Sequence, residues 1–188
     1  MTDLVTTAQS IQTFCEERNW QFCFIGGLAL QFWGEQRLTK DVDLTLLTGF
    51  GFEDKFIDAL LENFQPRLSD AKNFALKNRV VLLQTESGIG IDISLGGFSF
   101  EEDMINRSAY KEYLPDISLK ICSAEDLIVL KAFADRDKDW NDIKTIIIKQ
   151  DNLDWDYIKA QLSPLIELKE APEILIKLEN LREKFYQK

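Results

Sequence analysis

The chain of 188 residues contains no histidine. That absence removes serine–histidine and cysteine–histidine nucleophilic catalysis, imidazole general bases and most catalytic zinc sites. Acid–base chemistry is left to carboxylates, lysine, tyrosine or cysteine. A metal site would be built from oxygen donors, which suit magnesium or manganese. Cysteine is scarce as well. Cys15, Cys23 and Cys122 are an odd set without CxxC spacing, each among apolar or aromatic neighbours. They read as buried free thiols, not as a disulfide framework or a zinc site. No apolar run approaches the roughly 20 residues that cross a bilayer. The N-terminal stretch MTDLVTTAQS lacks the basic start and apolar core of a signal peptide. The expected location is the cytoplasm, with no membrane partner. Basic residues are outnumbered, 22 against 32 acidic ones, for a net charge of −10. General nucleic-acid binders usually show the opposite balance. An acidic surface fits plain solubility, a cationic small substrate or a basic protein partner.

What is present is the composition of a globular chain, 45% hydrophobic and 29% charged. Apolar residues at helical spacing mark residues 3–18, and a short aromatic-rich strand follows over 21–25. Gly26-Gly27 ends that strand and an apolar helix over 28–33 succeeds it. Residues 42–46 alternate as a strand, and 52–64 form an amphipathic helix with Phe56, Ile57, Leu60, Leu61 and Phe64 on one stripe, stopped by Pro66. Two strands, 80–84 and 89–95, flank the turn-prone Glu86-Ser87-Gly88. A short helix over 101–106 and a strand over 117–122 close the mixed part. From Ser123, which opens a helix in a capping-box-like arrangement with Asp126, the pattern is helical: 138–149, 155–166 and 171–186 follow. The expected class is α+β. A small mixed β-sheet core flanked by helices covers 1–122, and a helical subdomain covers 123–188.

The informative stretch is Arg37-Leu38-Thr39-Lys40-Asp41-Val42-Asp43-Leu44, downstream of the diglycine. Strand side chains alternate between faces, so Asp41 and Asp43 share one face while Val42 and Leu44 share the other. In the later strand Ile89, Ile91 and Ile93 line one face, and Gly90, Asp92 and Ser94 the other. Aspartate is poor in strands, yet it occurs three times in two otherwise excellent ones. Side-by-side carboxylates repel unless a cation or water neutralises them. If the two strands pair, Asp41, Asp43 and Asp92 meet in the arrangement that two-metal phosphoryl chemistry needs, with metals about 4 Å apart. A strand–Gly-Gly–helix junction brings bare backbone N–H groups to a helix N-terminus, which suits a phosphate. The plain alternatives are a solvated strand face for the aspartates and a tight turn for the glycines.

Gly26, Gly27, Asp41, Asp43 and Asp92 match the pattern of the DNA polymerase β-like nucleotidyltransferase superfamily. The Arg-x-Thr-x-Asp-x-Asp form of Arg37, Thr39, Asp41 and Asp43 is similar to abortive-infection (AbiE) nucleotidyltransferase toxins and their small relatives. The segment from Ser123 to Lys131, with Arg136-Asp137-Lys138-Asp139-Trp140-Asn141-Asp142-Ile143, resembles the helical part of that family. The resemblance covers about residues 20 to 148. The serine that often follows the first glycine is missing, which leaves the phosphate to backbone and other donors. The resemblance implies Mg2+ or Mn2+ on Asp41, Asp43 and Asp92, with Asp92 also accepting the proton of the attacking hydroxyl. It implies phosphate contacts from Gly26 and Gly27. Lys131 would neutralise the triphosphate or be a solvated helix lysine. Arg37 and Thr39 would contact phosphate or brace the strand. Asp139 and Asp142 would orient Lys131 or Arg136, or pair along one helix with Arg136 and Lys138. Arg79 would do the same as Arg37 and Thr39 or, at the head of a strand, stay at the surface.

The implied reaction transfers a nucleoside monophosphate from a nucleoside triphosphate to an acceptor hydroxyl. The acceptor would be a transfer RNA, a protein or a small molecule, in a toxin–antitoxin or phage-defence setting with an antitoxin protein as partner. Competing readings are an aminoglycoside-type antibiotic nucleotidyltransferase, a non-catalytic binding module that keeps the fold, and an acidic partner of a basic protein. For a transfer RNA acceptor, the best basic patch is Lys177, Arg182, Lys184 and Lys188 on the last helix, diluted by Glu173, Glu179 and Glu183.

Overall fold

The structure, a computed structural model, describes residues 2–186; Lys188 lies outside them. In chain order the elements are α1 (Thr2–Glu17), β1 (Phe22–Phe24), α2 (Gly26–Trp33), β2 (Asp41–Leu47), α3 (Glu53–Asn63), β3 (Gln65–Pro66), α4 (Ala71–Asn78), β4 (Val80–Gln84) and β5 (Gly90–Gly96). They continue with α5 (Ser99–Arg107), β6 (Ala109–Leu114), β7 (Ile117–Ile121), α6 (Ala124–Ala134), α7 (Asp137–Lys149), α8 (Trp155–Lys169) and α9 (Glu173–Phe185). Residues 2–28 and 38–122 make one compact unit. Residues 29–37 and 123–186 make a second.

The first unit is built on a mixed sheet ordered β3-β4-β5-β2-β1-β7-β6. The alternation in β2 and β5 produces its centre. Val42, Leu44, Ile91 and Ile93 are buried, while Asp41, Asp43 and Asp92 on the opposite face are half-buried. β2 runs parallel to β5 and antiparallel to β1, and β1 runs parallel to β7. Helix α1 lays Leu4, Val5, Ala8, Ile11 and Cys15 into the core and packs on β7 and β2. Helix α3 buries Phe56, Ile57 and Leu60, and ends before Pro66.

Three elements go beyond the sequence expectation. Strand β6 pairs with β7 at the edge of the sheet, with an irregularity between Glu112 and Leu114. Its sequence, AYKEYL, is polar and largely exposed, so it lacks a buried face for alternation to reveal. Helix α4 is one short element that buries only Ala71 and Ala75. Strand β3 is two residues long and includes Pro66. The diglycine also differs: it forms the first turn of α2 and does not precede it.

The second unit is helical. Ser123 caps α6 by accepting the Asp126 N–H at 3.1 Å, and Asp154 caps α8 in the same way at Tyr157, 2.9 Å. Leu127, Ile128, Val129, Ile143, Ile146, Ile158, Leu162 and Ile174 form its apolar interior. Helix α6 packs against α7, α8 and α9. That is why it is apolar nearly all round and still buries Asp126 and Lys131. Among the described residues, no helix is long and apolar enough to cross a membrane.

Candidate active site

Parallel pairing of β2 with β5 sets Asp41 opposite Gly90 and Asp43 opposite Asp92. In-register residues of neighbouring strands project to the same face, so the three aspartates stand together on one face of the sheet. Each lies against a glycine or a cation. Gly26 has φ +58°, in the left-handed region, and a Cβ there would overlap the Asp43 carboxylate. A Cβ on Gly27 would overlap the hydroxyl of Thr39, and one on Gly90 would overlap the carboxylate of Asp41. The Gly27 N–H points toward Asp43 Oδ2 at 3.5 Å. The Thr39 hydroxyl donates to the Asp41 carbonyl at 3.3 Å, which ties the approach loop to the strand. Three glycines thus let backbone come up against three predicted site residues: Asp43, Thr39 and Asp41.

The carboxylates are neighbours without being drawn to one point. Among the described residues, no group of three or more Asp, Glu or Cys side chains is gathered as a ready-made metal set. Each aspartate has its own surroundings, Asp43 against Gly26 and Gly27 and Asp41 against Gly90. Asp92 Oδ1 accepts from Arg67 NH2 in a close ion pair. Sequence reasoning passed over Arg67. Its position follows from the ladder: Leu82 of β4 pairs with Asp92, and the Arg67 N–H donates to the Leu82 carbonyl at 3.0 Å. The donor set, all oxygen and half exposed, nonetheless fits a hard divalent cation. Asp43 and Asp92 are register partners on adjacent strands, and Asp41 lies two residues from Asp43 on the same face.

Arg37 and Lys131 belong to the second unit, where Asp142 joins them. Arg37 donates from Nε and NH2 to the two carboxylate oxygens of Asp142, both at 3.0 Å. Lys131 Nζ donates to Asp142 Oδ2 at 2.6 Å and lies 3.5 Å from Asp139 Oδ1. Arg136 closes the row on Asp139, 3.2 Å from NH2 to Oδ1. The order is Arg37–Asp142–Lys131–Asp139–Arg136, cation alternating with anion. Both carboxylates hold Lys131, as the first sequence reading expects, and Asp139 also pairs with Arg136 three residues before it, while Asp142 turns to Arg37. Burial pushes the Asp142 carboxyl up, but Arg37 and Lys131 outweigh it and hold it below the usual aspartate value. Lys131 is a buried member of this row, not a solvated helix lysine.

Arg79 is a brace rather than a surface residue. It takes left-handed φ at the end of α4, and its guanidinium reaches Glu53, the Gly49 carbonyl at 3.1 Å and the Leu95 carbonyl at 2.5 Å. Backbone hydrogen bonding and then Arg79 lower the pKa of Glu53. The three cysteines are free and buried, and burial pushes Cys15 up to about 12.

Comparison with solved structures assigns the fold. The antibiotic-resistance factor ANT(2'')-Ia matches at TM-score 0.52 and 18% identity, over 98% of this chain and 91% of its own. An antigenic nucleotidyltransferase-like protein from Paracoccidioides brasiliensis matches at 0.50 and 16%, over 95% and 91%. The lincosamide antibiotic adenylyltransferase LnuA, bound to lincomycin, matches at 0.50 and 16%, over 73% and 92%. The chain therefore has a nucleotidyltransferase fold. At the level of sequence family, the profile described as Nucleotidyl transferase AbiEii toxin, Type IV TA system, matches residues 15–160, and the chain belongs to that family of nucleotidyltransferases. No curated protein matches it.

Proposed function

We propose that the chain transfers a nucleoside monophosphate from a nucleoside triphosphate to an acceptor hydroxyl, with Asp41, Asp43 and Asp92 holding Mg2+ or Mn2+. The observation that carries this reading is the in-register pairing of Asp43 with Asp92 beside the Gly26-Gly27 turn. The bound cation would polarise the α-phosphate and stabilise the leaving pyrophosphate. The chain's own groups do the rest. Backbone N–H groups at the start of α2 receive phosphate oxygens. Because the Gly27 N–H already faces Asp43, a phosphate seated there lies next to a metal-binding carboxylate. Asp92 takes the proton of the acceptor hydroxyl. Thr39 braces the entrance of β2. Arg37 and Lys131 are given no phosphate role, because Asp142 engages both.

The family supports a toxin role in a toxin–antitoxin pair, with an antitoxin protein as partner. Net charge −10 opposes a polyanionic acceptor. The basic residues of α9 are already engaged: Lys177 with Asp135 at 3.1 Å and over Trp140, and Arg182 over Trp155. A protein or small-molecule hydroxyl fits this surface better than transfer RNA. The test is thermal stability with Mg2+ and each nucleoside triphosphate. A ligand that binds only the native state raises Tm, and Asp43→Asn should abolish the rise. A rise of equal size in the variant would place the nucleotide elsewhere.

A further inference from the structure

Arg67 and Arg79 differ in how they are held. Arg79 has four hydrogen-bonding partners in its guanidinium's reach: Glu53, Thr48, and the carbonyls of Gly49 and Leu95. Among the described residues the Arg67 guanidinium has one, Asp92, and its Nε is buried with no hydrogen-bond partner. It lies over Gly90: a Cβ on that glycine would come 3.3 Å from Arg67 NH1 and would overlap Asp41 Oδ1. The guanidinium therefore sits beside Asp41 on one strand and paired to Asp92 on the next. Those are two of the carboxylates that would hold a divalent ion.

We propose that Arg67 is the resident cation of this site, pairing with Asp92 while no metal is bound and yielding that carboxylate when a divalent ion enters. The inference rests on the reading of Asp41, Asp43 and Asp92 as metal ligands. Three carboxylates on two adjacent strands repel one another, and Arg67 neutralises one of them. An entering divalent ion brings two positive charges to the same place, repels the guanidinium and competes for the Asp92 oxygen. Arg67 is poorly anchored against this competition. It gives up a single ion pair, and its buried Nε, an unsatisfied donor where it stands, gains access to a partner by moving. Arg79, held by the Gly49 carbonyl, the Leu95 carbonyl of β5 and the Glu53 carboxylate, could not leave so readily. The consequence is a metal affinity set below what the three aspartates alone would give.

Manganese binding without nucleotide, read as loss of the free Mn2+ electron paramagnetic resonance signal, tests this on the wild-type chain and on Arg67→Gln, Arg67→Lys and Asp43→Asn. Removing a charge-assisted competitor should tighten Mn2+ binding about tenfold in Arg67→Gln. Arg67→Lys, which keeps the charge, should stay near wild type, and Asp43→Asn should weaken binding. If wild type binds Mn2+ in an Asp43-dependent way but Arg67→Gln binds equally or more weakly, Arg67 is a brace and the inference fails while the metal reading stands. If wild type takes up no Mn2+, both fail. A second readout needs no stable glutamine variant. In wild-type chain labelled with 15N-arginine, Mg2+ should move the Arg67 Nε–H resonance, identified by its loss in Arg67→Lys. A resonance unmoved at saturating Mg2+ would overturn the proposal.

Discussion

Removing Asp142 should cost far more stability than removing Lys131, although the two touch each other. In the row Arg37–Asp142–Lys131–Asp139–Arg136, three cations alternate with two anions. Lys131→Met leaves two balanced pairs, Arg37 with Asp142 and Arg136 with Asp139. The loss is then one charged hydrogen bond, on the order of 1–2 kcal/mol. Asp142→Ala leaves Lys131, only 6% exposed, with Asp139 at 3.5 Å as its remaining partner, already shared with Arg136. Breaking a buried pair from the anionic side in this way costs about 3–5 kcal/mol. At roughly 2–4 °C per kcal/mol for a chain of this size, that is a fall in Tm of about 10 °C, against a few degrees for Lys131→Met. Urea titration of the two variants gives the comparison directly. The carboxyl also carries a pH signature. Its folded pKa lies below the ordinary 3.8, so its contribution is fully present above that value and is lost as pH falls through the lowered folded one. Wild type should therefore lose its advantage over Asp142→Asn only in that acid range. Equal or greater destabilisation by Lys131→Met would refute the charge-balance argument.

Gly26→Ala places a Cβ both in left-handed backbone and on the Asp43 carboxylate. It should lower Tm, with about 1–2 kcal/mol from the backbone alone, and abolish the nucleotide-dependent rise; a variant with an intact rise would show that the close approach is not used. All three thiols should resist an aromatic disulfide reagent in the native state, because they are buried and Cys15 is raised to about 12; fast reaction of any one without denaturant would contradict the packing. Transfer RNA should bind weakly and with a shallow salt dependence, reflecting few phosphate contacts. Tight binding that collapses between low and moderate salt would move the nucleic-acid acceptor ahead of the others.

The parts of the fold that were legible are those with a local period. Strands β2 and β5 announce themselves through Val42/Leu44 and Ile91/Ile93, and α3 through its apolar stripe, because burial on one side writes alternation or a 3.6-residue repeat into the chain. Strand β6 has no such face. It is an edge strand whose partner, β7, supplies the pairing, so nothing inside Ala109–Leu114 reveals it. Helix α6 was legible from its cap, Ser123, but not for its environment. Packing by three other helices buries Lys131, and a single helix cannot show how many neighbours it will have.

The same distinction governs the site. Asp41, Asp43 and Asp92 could be placed on one face from strand geometry once the two strands were taken as neighbours, and the register sets Asp43 against Asp92. What could not be read were relations across several strands or a long stretch of chain. Arg37 meets Asp142 across 105 positions, and neither residue marks the other. Arg67 follows Pro66, which the sequence offers only as a helix stop. It reaches Asp92 through two successive ladders, β3 on β4 and β4 on β5. Gly90 reads locally as a strand residue on the Asp92 face, yet it is also the gap that admits the Asp41 carboxylate and the Arg67 guanidinium side by side. Carboxylates in a strand thus disclose where charge will gather, because their cost there is local. The cation that balances them can come from any strand the sheet brings alongside, and so it becomes visible only with the topology.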